Sequence, residues 1–160
     1  MKKTYLFLTL LVFVFFILSA CGNADMNKPN TEPKTKEVTL MGESENWVAN
    51  SYQISLTPDV LKVGNGTLDM KSGSEYKTEY LHLEVHAVIN GEDTLVQTKT
   101  VTGSETDISQ VNTGTIEGDA PINKDGEKIK MEDISDIYMT IEWEDMTKGK
   151  KVKERIDLRN

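Results

Sequence analysis

The chain has a single cysteine, Cys21, in 160 residues. No intramolecular disulfide is possible and no CxxC pair exists for zinc or thiol exchange, so any fold stands on its core alone. There is no Walker loop, no G-x-S-x-G turn and no stripe of alternating basic and aromatic residues. The sequence marks of nucleotide cradling, of a nucleophile elbow and of a nucleic-acid track are therefore missing. After the N-terminal run, no stretch of ten residues has the 3.6-residue apolar period of an amphipathic helix. Basic residues are also scarce: 18 Lys and Arg stand against 26 Asp and Glu. Such a surface repels nucleic acid and anionic headgroups.

What is present begins with "MKKTYLFLTLLVFVFFILSAC". Lys2 and Lys3 form a positive n-region, and from Tyr5 to Leu18 the only polar residue is Thr9. Such a helix would reach roughly 21 Å, short of the ~30 Å hydrocarbon core, which fits a signal-peptide h-region better than a membrane span. Leu18, Ser19, Ala20 and Cys21 follow. They resemble the bacterial lipobox: an aliphatic residue, two small residues and cysteine. The resemblance implies a diacylglyceryl thioether on the Cys21 sulfur, cleavage after Ala20, and a chain held by acyl groups on the extracytoplasmic face of the cell membrane. A thiol suits that chemistry because sulfur is a soft nucleophile. Two acyl chains hold a protein on a bilayer where one is marginal.

The expected organisation is a signal peptide over 1–20, a lipidated N-terminus and flexible tether over 21–37, and a β domain over 38–160. Loss of Lys2 and Lys3 leaves 16 basic and 26 acidic residues, a net charge of about −10. The tether, "GNADMNKPNTEPKTKE", has Pro29 and Pro33 and no apolar cluster.

The domain is rich in Thr, Val, Ile and Tyr with turn residues at short intervals, which predicts an all-β, immunoglobulin-like β-sandwich of seven to eight strands; a small open barrel is the alternative. Leu81, Leu83, Val85 and Ala87 alternate with Tyr80, His82, Glu84 and His86, and Asn90-Gly91 turns the chain back. Ile137, Met139, Ile141 and Trp143 share one face, as do Val152, Ile156 and Leu158, with Glu154 the exception among them. Tyr52, Ile54 and Leu56 alternate until Pro58 ends the strand. Asn65-Gly66 predicts a hairpin between two short strands. From Thr102 to Asp136 the pattern weakens. One short strand near Gly114–Glu117 and a helical turn at 131–134 are expected.

Three stretches carry candidate chemistry. In "HLEVH", His82 and His86 would stand about 13 Å apart on one strand face, too far for one zinc ion at ~2.1 Å from each nitrogen. They read as sheet-surface residues. In "PINKDGEKIKME", Asn123, Asp125, Gly126 and Glu132 match a calcium loop, but Pro121 occupies its first ligand position. The plain reading is an acidic turn, the sharper one a weak cation site. In "GESENW", Glu43 and Glu45 are a carboxylate pair without a visible partner, and Trp47 reads as a core anchor.

Gly42, Glu43, Ser44, Asn46 and Trp47, together with Ile141 and Trp143 near the end, resemble uncharacterised lipoproteins of Bacillus-like bacteria. These carry a G-E-S-x-N-W segment and an I-x-I-x-W strand. The resemblance implies a small extracellular β domain and its location, and points to no particular mechanism. No catalytic residue, metal ligand set or cofactor is expected. The function expected is a non-enzymatic module, tethered to the membrane through Cys21, that binds a protein or other envelope component. The alternatives are a small-molecule or cation binder, or a cell-envelope hydrolase.

Overall fold

The computed structural model describes residues 35–160. The residues before them, with the lipobox Leu18 to Cys21 and most of the tether, lie outside the described residues. Ten strands follow in order: β1 Lys36–Glu43, β2 Trp47–Leu56, β3 Val60–Gly64, β4 Thr67–Met70, β5 Lys77–Ile89, β6 Glu92–Asp107, β7 Gln110–Asn112, β8 Thr115–Asp119, β9 Ile134–Asp145 and β10 Lys150–Leu158. A 3-10 turn, Met131–Asp133, precedes β9. No helix among the described residues is long and apolar enough to cross a membrane.

The strands form two antiparallel sheets packed face to face, an all-β sandwich. One is ordered β10-β9-β5-β6. In the other, β2 is central: β1 pairs along one side of it, and β3 and β4 share the other side, flanked by β8 and β7. The strand count exceeds seven to eight because two ladders are each broken once. Gln53 lies opposite Gly64 and Asn50 opposite Thr67 in a single unbroken register, so β3 and β4 are two halves of one strand. Gly64 opposite Thr115 and Thr67 opposite Asn112 do the same for β8 and β7.

This corrects the hairpin expected at Asn65-Gly66. Ten-residue β2 offers a ladder to both halves, and the chain runs on along it instead of turning back. A crease crosses the sheet here, marked by positive φ at Ser51 (55°), Gly64 (118°), Asn65 (57°) and Gly114 (76°). Gly64 is required: a Cβ on it would lie 2.0 Å from the Gly114 carbonyl oxygen. Asn90-Gly91, by contrast, is a two-residue hairpin turn. Ile89 pairs with Glu92, and both turn residues have positive φ, as a type I′ turn demands.

The core follows the alternation. Leu81, Leu83 and Val85 of β5, Met139 and Ile141 of β9, Ile156 of β10, and Trp47, Tyr52 and Ile54 of β2 are all buried between the sheets. At one side the sandwich is closed: Met41 and Arg159 exchange two backbone hydrogen bonds of 2.8 Å each, joining β1 to β10. At the other side the bridge is made by side chains. Gln97 of β6 donates to the Thr113 carbonyl (2.9 Å) and accepts from the Tyr52 hydroxyl (2.7 Å). The Thr113 hydroxyl bonds both the N–H and the carbonyl of Gly66 at the crease. Burial pushes the Tyr52 pKa far above its ordinary value, so its hydroxyl stays a donor. Glutamine, tyrosine and threonine here satisfy one another across the two layers.

Candidate functional site

Two surfaces collect the chemistry-bearing side chains. The first is the outward face of the β10-β9-β5-β6 sheet. Strand alternation sends Tyr80, His82, Glu84 and His86 outward from β5, with Tyr138, Thr140 and Glu142 from β9 and Lys151, Lys153 and Arg155 from β10. Glu84 is the centre. Its two oxygens lie 3.3 Å from His82 Nε2 and 3.8 Å from His86 Nε2, and Thr140 donates to it at 3.2 Å. The hydrogen bond with His82, ahead of the smaller contributions from Thr140 and Lys153, holds the Glu84 pKa below the usual carboxylate range against partial burial.

The histidines are engaged on their other side too. His82 Nδ1 meets the Thr100 hydroxyl at 2.8 Å, and His86 Nδ1 meets Asp93 at 2.9 Å. Tyr138 donates its hydroxyl to Asp93 and stacks on His86 with centroids 4.9 Å apart. The Lys151 ammonium lies 3.9 Å from the Tyr80 ring centroid and the Arg155 guanidinium 3.6 Å from that of Tyr138. The result is a flat mosaic, with each histidine shared between acceptors. Among the described residues no group of three or more His, Cys, Asp or Glu side chains is placed to hold a metal ion.

The second surface is one end of the sandwich, where the segments carrying the lipoprotein resemblance meet. Trp47 and Trp143 contact edge to face, with centroids 5.5 Å apart and planes at 81°. Ser44 donates its hydroxyl to Glu154 at 2.6 Å, and Asn46 gives it a backbone N–H at 3.0 Å and its side-chain amide N–H. This accounts for Glu154, the charge that interrupted the apolar face of β10. Burial pushes its carboxyl up, yet the donors from Ser44 and Asn46 outweigh that and hold its pKa below the ordinary value. Glu43 and Glu45 are both exposed; Glu43 pairs with Lys71 at 3.0 Å rather than with Glu45. Sequence reading missed the role of Ser44 and Asn46. The available signal was an acidic residue on an otherwise apolar strand face, which needs donors from elsewhere.

Beside the tryptophan pair is a recess of about 240 Å³ lined by Asn46, Met70, Tyr76, Trp143, Asp145 and Lys148, among others. Asp145, the last residue of β9, is buried, and the β9–β10 turn wraps it. Its Oδ1 accepts from the Thr147 N–H (3.0 Å), the Thr147 hydroxyl (2.6 Å) and the Lys148 N–H (3.2 Å). The Thr147 hydroxyl foremost, then the Lys148 ammonium and the two backbone N–H groups, hold its pKa far below the usual carboxylate range.

The third stretch, around Asn123, is a closed acidic turn. Asn123 Oδ1 accepts the N–H groups of Asp125 (3.0 Å) and Glu127 (2.8 Å). Glu132 is ion-paired with Lys36. Two of the oxygens that a calcium loop would use are thus spent within the chain.

Comparison of the chain with protein-family models, with curated proteins and with solved structures found no match. The class defined by the fold is a two-layer all-β sandwich with a polar aromatic outer face and a small recess at one end.

Proposed function

We propose that the chain is a lipid-anchored binding module at the extracytoplasmic face of the cell membrane, and that it meets a protein or other envelope component through the outward face of the four-stranded sheet. The observation that carries the reading is the mosaic on that face. Tyr80 and Tyr138 are fixed under Lys151 and Arg155, while Leu95, opposite His86 on β6, stays 52% exposed. Tyrosine and arginine are the residue types that dominate binding energy at protein interfaces, and prior fixing of long side chains lowers the entropy cost of association. The anchor rests on the lipobox resemblance of Leu18 to Cys21, and the separate resemblance of Gly42 to Trp47, Ile141 and Trp143 to Bacillus-like lipoproteins agrees with it.

Two measurements test the two halves separately. Mass spectrometry of the membrane-associated chain should find Cys21 as the first residue, carrying acyl groups. A bare thiol, or an uncleaved leader, would remove the anchor. For the face, full-length protein and a Tyr80→Ala/Arg155→Ala variant are each used to capture partners from envelope extracts. A partner enriched by the former and lost with the latter, at equal thermal stability, supports the reading. Equal recovery by both chains sinks it.

A further inference from the structure

The recess at the β9–β10 end has features that its structural role does not use. Asp145 is anchored through one oxygen alone: the three bonds of the turn all fall on Oδ1. The other oxygen, Oδ2, meets the Lys148 ammonium at 2.9 Å. That lysine is 63% exposed while the aspartate side chain is 7% exposed. A buried, rigid carboxylate oxygen is therefore covered by the tip of a solvent-facing chain. Around it stand the buried Trp143 and the half-buried Tyr76, with Met70 and Val152 as apolar wall. Asn46 has committed its amide nitrogen to Glu154, which leaves its carbonyl oxygen as the atom it can offer the recess. Glu45 is close enough to Lys148 to add to the negative field there.

We infer that this recess is a binding site for a primary alkylammonium group, such as a lysine-type side chain of a peptide or an alkylamine, and that the amine of Lys148 occupies its polar end in the unliganded chain. The chemistry follows from the walls. Asp145 Oδ2 accepts a hydrogen bond from an N–H of the cation, a charge-assisted bond stronger than a neutral one. Trp143 and Tyr76 add aromatic wall, and Met70 with Val152 accommodates the methylene stem. Lys148 acts as an internal competitor. The Lys148 end of this ion pair is solvent-facing and free to swing away, so its displacement lowers apparent affinity by only about two- to fivefold.

The test uses the full-length chain in detergent micelles and two probes, n-butylammonium and tetramethylammonium chloride, with sodium chloride as the ionic-strength control. Binding is followed by tryptophan fluorescence and by the indole N–H resonances of Trp47 and Trp143. Butylammonium should give a saturable response centred on Trp143. Lys148→Ala should tighten it about two- to fivefold, and Asp145→Asn should abolish it. Tetramethylammonium, which donates no hydrogen bond, should bind more weakly. Should the Asp145 variant fail to fold, Tyr76→Leu, at a half-buried position, serves instead and should weaken binding. No saturable response in either the native chain or Lys148→Ala overturns the inference, as does a native response no greater than that to sodium chloride. Tighter binding of the quaternary ion would overturn the assignment to primary amines. None of these outcomes bears on the outward face of the sheet, so failure here leaves the proposed function standing.

Discussion

Replacing Gln97 with leucine should cut the buried side-chain bridge that ties the open side of the sandwich together. Gln97 is 3% exposed, and its amide serves two buried groups, the Tyr52 hydroxyl at 2.7 Å and the Thr113 carbonyl at 2.9 Å. Leucine keeps the volume but strands both. An unsatisfied buried polar group costs about 1–3 kcal/mol, so two of them, less the gain from burying an apolar side chain, should cost about 2–4 kcal/mol. That is a large share of a total of about 5–15 kcal/mol. Tyr52→Phe alone strands the Gln97 oxygen and should cost about 1–3 kcal/mol. The double variant removes both partners of that bond at once and should be no less stable than Gln97→Leu. The cycle should therefore show a coupling of at least about 1 kcal/mol. Urea unfolding followed by tryptophan fluorescence reads this directly. With a slope of about 1–3 kcal/mol/M the midpoint should fall by about 1–2 M. A loss under about 1 kcal/mol for Gln97→Leu, or strict additivity in the cycle, would refute the view that these groups act as one buried network.

Gly64→Ala should be far more damaging than Gly73→Ala. Both have positive φ, but the added methyl lies 2.0 Å from the Gly114 carbonyl oxygen in the first case and meets nothing within 4 Å in the second. The second should cost about 1 kcal/mol from backbone strain alone, and thermal melts of the two variants check the contrast. Acid should destabilise the domain. Glu154, Glu84, Asp93, Asp107 and Asp145 all have folded pKa values below their ordinary ones. Each then contributes stability above an unfolded pKa of about 4 that is lost as pH falls through its folded value. Glu154→Gln should be less stable at neutral pH and show a shallower loss between about pH 5 and pH 2; an unchanged slope would exclude Glu154 as a contributor.

Much of the fold was legible because much of it is local. The two-residue period of Leu81 to Ala87 and of Ile137 to Trp143 identified the inward faces of β5 and β9, and Asn90-Gly91 turned the chain where two positive φ values are needed. The same dipeptide at 65–66 misled. Whether it turns or continues depends on how much ladder β2 offers, which no local pattern carries. β7, β8 and the far half of β6 were faint for a related reason: β8 is exposed throughout, so it shows no alternation, and its pairing with β3 alone makes it a strand. The candidate sites were less visible still. Glu154 stood out as an anomaly, but its donors Ser44 and Asn46 lie 110 and 108 positions away. Asp145 carries no local mark of burial, since only the folded turn brings the Thr147 and Lys148 donors to it.

The crease has a consequence for how this architecture tolerates changes of length. Pairing continues through it with no residue gained or lost on any of the broken ladders. Excising a single residue from 64–66 would shift every side chain after it to the opposite face, turning Leu68 and Met70 toward water and Asp69 toward the core. The exposed segment 72–75 is under no such constraint, since β4 closes its ladder at Met70 before it and β5 begins only at Lys77 after it. Added residues there cost only the slow growth of loop entropy. Insertions and grafts therefore belong in that segment, whereas the middle of the β2-centred sheet has an arithmetic that must be kept.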